Sequence, residues 1–398
     1  MLKNISLVVK ALLCCGCGAC VVICPGQCIQ MNFAAKHNIP VVIKQCMECG
    51  KCLTVCSGMQ LLAEIAETNK VGENITNAEF LACYVSKSAD QGLQRSAASG
   101  GFITTLALHL LARKRIKGVV CVRSGPNKPT ESEFFIAKTS EQIYQASGSR
   151  YSPASGCLPL KELLLLKGQY MLVGKPCDLA GIHLLEQNIA VLKERILVKV
   201  GILCHHTPFR TALQNLLQGY SLKITDVASL QYRGEGWPGS FCIELKSGEN
   251  LVLPYRKAWN MYFSRLKYVP IRCLLCDDVF ATYADIVVGD PWGEEFKAEK
   301  IGYSLTMLKN DKAVDIYNDL RGSDKIYDKK LVQSKIVSYQ ANLIKKVRAK
   351  RLWLIAYIIL KHGLNIKVLA SSVVTKYSFK EKVSIVKKFL ILLRKRRQ

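Results

Sequence analysis

Apolar and polar positions follow two different textures along the chain. From about residue 80 onward, short apolar runs alternate with stretches of helical spacing. The run 102–116 is amphipathic, opens after Ser99-Gly100-Gly101 and closes at Gly118, which predicts a helix. Runs at 119–122, 133–137, 170–173, 196–203, 285–288 and 304–307 predict strands. Helices are predicted at 158–166, from the turn 174–177 on to Gln187, at 208–217 and at 311–320. Residues 241–253 read as a hairpin turning at Ser247-Gly248-Glu249-Asn250. Strands interleaved with helices argue for an α/β domain with a mixed sheet. The first 60 residues lack this alternation; their one clear strand signal is 40–43.

Composition explains the difference. Of 398 residues, 49% are hydrophobic and 22% charged, enough apolar surface to offset chain entropy over most of the length. Cysteine is the outlier, at 18 residues. Eight of them form two runs with one spacing: Cys14, Cys17, Cys20 and Cys24 before Pro25, then Cys46, Cys49, Cys52 and Cys56 before Ser57. This is the spacing of a bacterial ferredoxin with two 4Fe-4S clusters. Three closely spaced thiolates hold one cubane, and the fourth cysteine of each run reaches across to the other. Cluster one is therefore assigned to Cys14, Cys17, Cys20 and Cys56. Cluster two takes Cys46, Cys49, Cys52 and Cys24. Disulfides would need an oxidising compartment, and zinc sites use one or two CxxC pairs rather than two four-cysteine runs. Gly16, Gly18 and Gly50 remove side chains where backbone must approach a cluster. Cys15 and Cys28 are out of register and read as small buried fillers. Cys83, Cys121, Cys157 and Cys242 read as core residues.

Four turns punctuate the α/β region: 95–101, 148–151, 174–177 and 289–293. Ser99-Gly100-Gly101 before a helix offers amides and a helix dipole to an anion, although such a turn is as often a plain cap. Neither a GxGxxG nor a Walker run is present. Taken in order, six segments resemble the family of coenzyme F-420 hydrogenase/dehydrogenase beta subunits. They are 96–102, 148–151, 174–181, 201–204, 272–276 and 284–293, so the resemblance covers about residues 80–330. It implies an iron–sulfur flavoprotein oxidoreductase in which FAD lies between a cluster and a soluble acceptor. That acceptor is an F-420-like deazaflavin or a metabolite not yet identified, in some relatives linked to polysaccharide synthesis. The alternative is an electron-transfer subunit with no substrate of its own. Expected flavin contacts are Ser99, Gly100, Gly101, Ser149, Tyr151 and Lys175. Two residues depart from the family pattern: Lys175 replaces a threonine and Asp178 a glutamine. The resemblance also implies a cluster in the core, which assigns Cys177, Cys204, Cys273 and Cys276 to a third 4Fe-4S cluster. A four-thiolate zinc site, a redox dithiol and plain buried thiols stay open for these four. His205 and His206 read as a solvent-contacting loop pair, and Trp292 as a candidate stacking partner for the flavin ring.

The expected organisation is an α+β ferredoxin-like module at 1–66, a flavin-associated region at 80–168, a core carrying the third cluster at 169–335 and a basic helical tail at 336–398. The net charge is +26, and residues 341–398 hold 16 Lys/Arg against one acid, +15 of that total. Within the tail, 379–393 places Phe379, Val383, Val386, Leu390 and Leu393 at helical spacing among lysines and arginines. A basic amphipathic helix suits an anionic membrane surface or an acidic partner, unless it packs on its own domain. Aromatics are not interleaved with the basic residues, which argues against nucleic acid. The longest clean apolar run, 352–360, is too short to span a bilayer. The apolar stretch 5–13 lacks a small-residue cleavage site. Free thiols and assembled clusters then point to the cytoplasm, with a peripheral position at the inner face of the membrane if the tail binds lipid. An electron-donor or acceptor protein is expected to dock at the ferredoxin module.

Overall fold

The structure is a computed structural model, and it describes residues 4–66 and 80–348. The predicted helix at 379–393 and the rest of the tail beyond residue 348 lie outside the described residues.

The N-terminal module is built twice from one plan. Helix Ala19–Ile23 starts at Gly18 and helix Lys51–Thr54 at Gly50. Both glycines are left-handed, with φ of 86° and 72°. A Cβ on Gly50 would meet nothing within 4 Å, so its φ, and not crowding by protein, selects glycine there. Between the two copies, strand β1 (Ile29–Asn32) pairs antiparallel with β2 (Ile39–Val42), opposing Ile29 to Val42. The predicted strand at 40–43 is thus found one residue earlier. A helix, Ser57–Ala66, follows the second run.

The larger part of the chain is a mixed eight-stranded sheet. Its strands are β3 (Ala82–Ser88), β4 (Val119–Gly125), β5 (Lys128–Ala137), β6 (Tyr170–Gly174), β7 (Ile196–Ile202), β11 (Ile286–Gly289), β12 (Ser304–Leu308) and β13 (Ile326–Leu331). The order is β13-β3-β12-β11-β7-β6-β4-β5. Strands β4, β6, β7 and β11 run parallel in the middle, and the outer pairings are antiparallel. A separate antiparallel sheet holds β8 (Val227–Gly234), β9 (Ser240–Leu245) and β10 (Asn250–Pro254), which includes the predicted hairpin.

Alternation along the central strands splits the core by face. Met171, Val200 and Ile286 face helices Phe102–Ala112 and Asp311–Arg321, packing on Leu106, Leu110 and Tyr317. Tyr170, Leu172 and Val287 face helix Pro176–Asn188 and share one core with Cys17, Ala19 and Val55 of the N-terminal module. The module is therefore packed against this face of the sheet as part of one continuous core.

The start of the predicted tail is also core. In helix Ala341–Arg348, Leu343, Ile344 and Val347 are buried. Among the described residues, no helix is long and apolar enough to cross a membrane.

Candidate functional site

Parallel strands bring the chemistry together. Strands β6, β7 and β11 are neighbours and end level with one another, Gly174 beside Gly201 and Ile202 beside Val288. Ligand sites in such sheets lie just beyond the strand carboxyl ends. Cys177, Cys204 and Asp290 occupy those positions, each one to three residues past its strand. Helix Ile271–Leu275 supplies Cys273, and Cys276 follows it. Cys204 is an electrostatic neighbour of Cys273 and Cys276, and its burial pushes the thiol up to about 12. All 18 cysteines are free thiols.

Cys14 and Cys20 are electrostatic neighbours of Cys56, and Cys20 also of Cys52; Cys24 and Cys46 neighbour Cys28, and Cys52 neighbours Cys46 and Cys49. Cys17 packs instead on Cys15 and Cys157. Burial raises the Cys14, Cys20 and Cys56 thiols, the last to about 11. A thiol so placed ionises when a metal takes it as thiolate. Cys49 is exposed. Among the described residues, no three or more His, Cys, Asp or Glu side chains stand as a single bound ion would need them. A cubane of four irons spreads its ligands more widely than one ion does.

The structure changes the reading of Cys15 and Cys157. Cys15 is not simple filling: its Sγ is 3.3 Å from Ser57 Oγ, and it contacts both Cys17 and Cys177. Cys157 donates its amide to the Cys17 carbonyl at 2.8 Å. A Cβ on Gly181 would stand 3.2 Å from Cys17 Sγ and 3.3 Å from Cys157 Sγ. The first ferredoxin run and the Cys177 turn are thus in contact.

Three arginines carry the electrostatics. Arg272 is 5% exposed and donates Nη2 to the Ser57 carbonyl at 3.4 Å, while its Nε and Nη1 have no protein partner. Arg233, 3% exposed, pairs Nη1 with Asp290 Oδ2 at 2.5 Å and donates Nε to the Pro238 carbonyl, leaving Nη2 without a partner. Arg150 leaves Nε without one. A buried guanidinium without its full complement of partners costs several kcal/mol. All three therefore suit anionic groups at their open nitrogens.

Arg150 and Arg233 adjoin the expected flavin turns. Gly148 approaches Ser96, the virtual Cβ lying 3.9 Å from the Ser96 carbonyl. Ser99 donates Oγ to the Tyr303 carbonyl at 2.6 Å, and Gly302 packs between Ser99 and the Trp237 ring. Gly100 admits no side chain: a Cβ would lie 2.4 Å from Ser86 O and 2.6 Å from Ser304 N. Gly100→Ala is accordingly expected to destabilise the fold by about 2–3 kcal/mol through overpacking against rigid backbone. A lowered denaturant midpoint at unchanged slope checks this. Gly101 is left-handed at φ 75° and caps helix Phe102–Ala112. Arg150 donates Nη1 to the Ser149 carbonyl at 3.2 Å. Tyr151 lies edge-on to Tyr232, Trp259 and Phe263 and is an electrostatic neighbour of Arg233. Around the Arg233 guanidinium stand Trp237, Tyr255 and Trp292, at 5.0, 5.5 and 5.9 Å from the ring centroids. Trp292 is 43% exposed, a surface available for stacking.

Lys175 lies with the cysteines. Its Nζ pairs with Asp178 Oδ2 at 2.6 Å, beside Cys177 and Cys204. Burial pulls the ammonium down, but Asp178 and Cys177 outweigh it and hold it charged above its ordinary value. The two departures from the family turn are thus one compensated change, a cation and its buried partner. His206 differs from expectation, whereas His205 is partly exposed. His206 is 6% exposed, stacked on Phe263 at 3.9 Å and hydrogen-bonded to the Phe263 carbonyl at 3.0 Å. Burial keeps it neutral, so it is a core histidine.

Residues 83–161 match the N-terminal region, and 168–334 the C-terminal region, of the coenzyme F-420 hydrogenase/dehydrogenase beta subunit. The F-420-dependent formate dehydrogenase subunit beta of Methanocaldococcus jannaschii is 26% identical over 274 residues, 67% of this chain and 68% of that one. The coenzyme F-420 hydrogenase subunit beta of Methanosarcina barkeri is 24% identical over 238 residues, 57% of this chain and 78% of that one. A chain of the F-420-reducing NiFe hydrogenase complex from the same organism superposes with a TM-score of 0.55 at 18% identity, covering 73% of this chain and 95% of that one. With two regions matched in order and the strand-end site in place, the chain belongs to the family of coenzyme F-420 hydrogenase/dehydrogenase beta subunits and is an oxidoreductase of that family.

Proposed function

We propose that the chain is an iron–sulfur flavoprotein subunit that passes electrons from a reduced donor protein, through 4Fe-4S clusters and FAD, to a soluble F-420-like acceptor. The observation that carries this reading is the contact between the two cysteine sets, Cys15 and Cys17 against Cys177 and Cys157. Cys14, Cys17, Cys20 and Cys56 would hold one cluster, Cys24, Cys46, Cys49 and Cys52 a second, and Cys177, Cys204, Cys273 and Cys276 a third. When bound, the clusters move single electrons and the flavin exchanges them for a two-electron hydride equivalent.

The protein's own share is placement. Ser99, Gly100, Gly101, Ser149 and Tyr151 would contact the flavin, and the open nitrogens on Arg150 and Arg233 would meet the negative charge of an FAD pyrophosphate or ring. Trp292 offers a face for an aromatic ring, and Lys175 acts on the cluster side. A donor would dock near Cys49, where Ile43, Met47, Lys44 and Lys51 are exposed around the second run. The domain division follows the same logic, with 1–66 as electron port, 80–335 as flavin and cluster core and the region from 336 as an appendage whose first turns join the core. For the basic tail the proposed partner is an anionic membrane inner face. Deleting 378–398 is expected to abolish sedimentation with anionic liposomes.

The reading is tested by anaerobic purification with iron, sulfide and flavin assays. About 12 irons and about one FAD per chain are expected, four irons per cubane. Eight irons without flavin would leave the ferredoxin module alone. Zinc without iron would overturn the redox role altogether. A pure relay subunit is the second reading, favoured by the subunit names of its relatives. It predicts flavin-free protein that activates a co-purifying partner.

A further inference from the structure

Arg272 stands at the joint between the N-terminal module and the core. Its Nη2 reaches the Ser57 carbonyl, directly after Cys56, and its own neighbour in the chain is Cys273. Cys14, Cys15 and Cys56 of the module and Cys177, Cys273 and Cys276 of the core all lie within its electrostatic reach. Among the described residues its side-chain hydrogen bond goes to a backbone carbonyl, and Nε and Nη1 have no protein partner. A cation this deeply buried needs anionic neighbours on more than one side. Four thiolates around a cubane supply a net negative charge, and two such groups flank this guanidinium. The second run is placed differently, with Cys49 exposed and Cys46 and Cys52 facing each other.

We infer that Arg272 is a shared charge-balancing residue, set between the first ferredoxin cysteine group and the core cysteine group, so that these two groups form the crossing between module and core. The inference rests on the three-cluster reading. A positive charge beside a cluster favours its reduced, more negative form, so removing the charge makes reduction harder for every cluster that feels it. Arg272 also holds the two groups in register through Ser57.

The test is an EPR-monitored redox titration of the full chain, reconstituted anaerobically, as Arg272→Gln and Arg272→Lys. Arg272→Gln is expected to lower the reduction equilibrium constant of two of the three clusters about tenfold each, about 59 mV for a one-electron couple. The remaining cluster keeps its potential, and Arg272→Lys restores the other two most of the way. A shift in one cluster only, in all three equally or in none would overturn the inference. Should the glutamine variant lose iron, a second measurement decides. In the reduced wild type, two clusters are expected to broaden each other's signals, and Cys49→Ser, which disables the second run, should preserve that broadening. Its disappearance in Cys49→Ser would place the second run at the crossing and overturn the proposal. Iron content separates the two ideas: about eight irons in the wild type would fail the three-cluster reading, whereas full iron with unmoved potentials fails Arg272 alone.

Discussion

Arg233→Met is expected both to destabilise the fold and to strip the chain of flavin. The two losses have different causes, which a second substitution separates. In the wild type the Arg233 guanidinium is buried against Asp290, the Pro238 carbonyl and three aromatic rings. Removing one partner of a buried ion pair leaves the other uncompensated, at about 3–5 kcal/mol. That is a large part of the roughly 5–15 kcal/mol by which a typical domain is stable. Arg233→Met combined with Asp290→Asn removes the orphaned charge and should recover most of the lost stability, read as the denaturant midpoint. It does not recover the cation whose Nη2 lacks a protein partner among the described residues and which stands beside Trp237. A charged hydrogen bond is worth about 1.5–3 kcal/mol. The double variant should therefore bind flavin roughly ten- to hundredfold more weakly, measured as the flavin-to-protein ratio after gel filtration. A stable double variant that keeps its flavin would show that Arg233 serves Asp290 alone.

Much of this site is legible in the residues alone. The cysteine spacing names its chemistry because a cubane fixes where thiolates must fall along a short loop. Strands β6, β7 and β11 are visible because they are apolar runs in the central parallel part of the sheet, and β4 and β12 because their apolar runs pack into the same core. Strands β1, β3, β8 and β13 are not. β13 exposes Tyr327 and pairs only with β3, so it carries lysines and an aspartate and no apolar run. β8 alternates irregularly because its register shifts twice against β9.

What the sequence withholds is partnership across long separations. Arg150, Arg233 and Arg272 look like three of many basic residues in a chain of net charge +26. Only the fold shows that Arg233 and Arg272 are buried, Arg150 partly so, and that each has an open donor among the described residues. Arg272 carries a faint signal, since an arginine beside a CxxC pair is the wrong residue for an apolar helix. Cys15 gives none, because its contact with Cys177 spans most of the chain's first half. Lys175 and Asp178 stand in the sequence as two separate departures from the family turn. Their spacing of three on a helix start is the available clue that they pair.

Arg210→Ala is expected to loosen the N-terminal module from the core while leaving its iron in place. Arg210 precedes helix Thr211–Gln218 and is 11% exposed at its side chain. It gathers three partners from two parts of the chain. Nε pairs with Glu131 Oε2 at 2.7 Å, Nη2 donates to Asn38 Oδ1 at 2.6 Å and Nη1 to the Ala35 carbonyl at 3.1 Å. Asn38 is itself 2% exposed and donates Nδ2 to Ser155 Oγ at 2.8 Å. The β1–β2 turn is thus clasped to the core. Contacts of a charged donor contribute about 1.5–3 kcal/mol each and do not add in full. A loss of about 3 kcal/mol in the docking equilibrium follows. Hydrogen exchange should show it directly, as lost amide protection across 29–42 with the strands of the large sheet unchanged. Spectroscopy should show it too. On the three-cluster proposal, a reduced donor is expected to reduce the module's clusters at the wild-type rate, while reduction of the proposed core cluster slows more than tenfold as the two cysteine sets draw apart. Arg210→Lys, which keeps the charge but not the three-way fork, should fall between the two. Wild-type protection at 29–42 in Arg210→Ala would mean that the shared apolar core around Cys17, Ala19 and Val55 holds the module without the clasp.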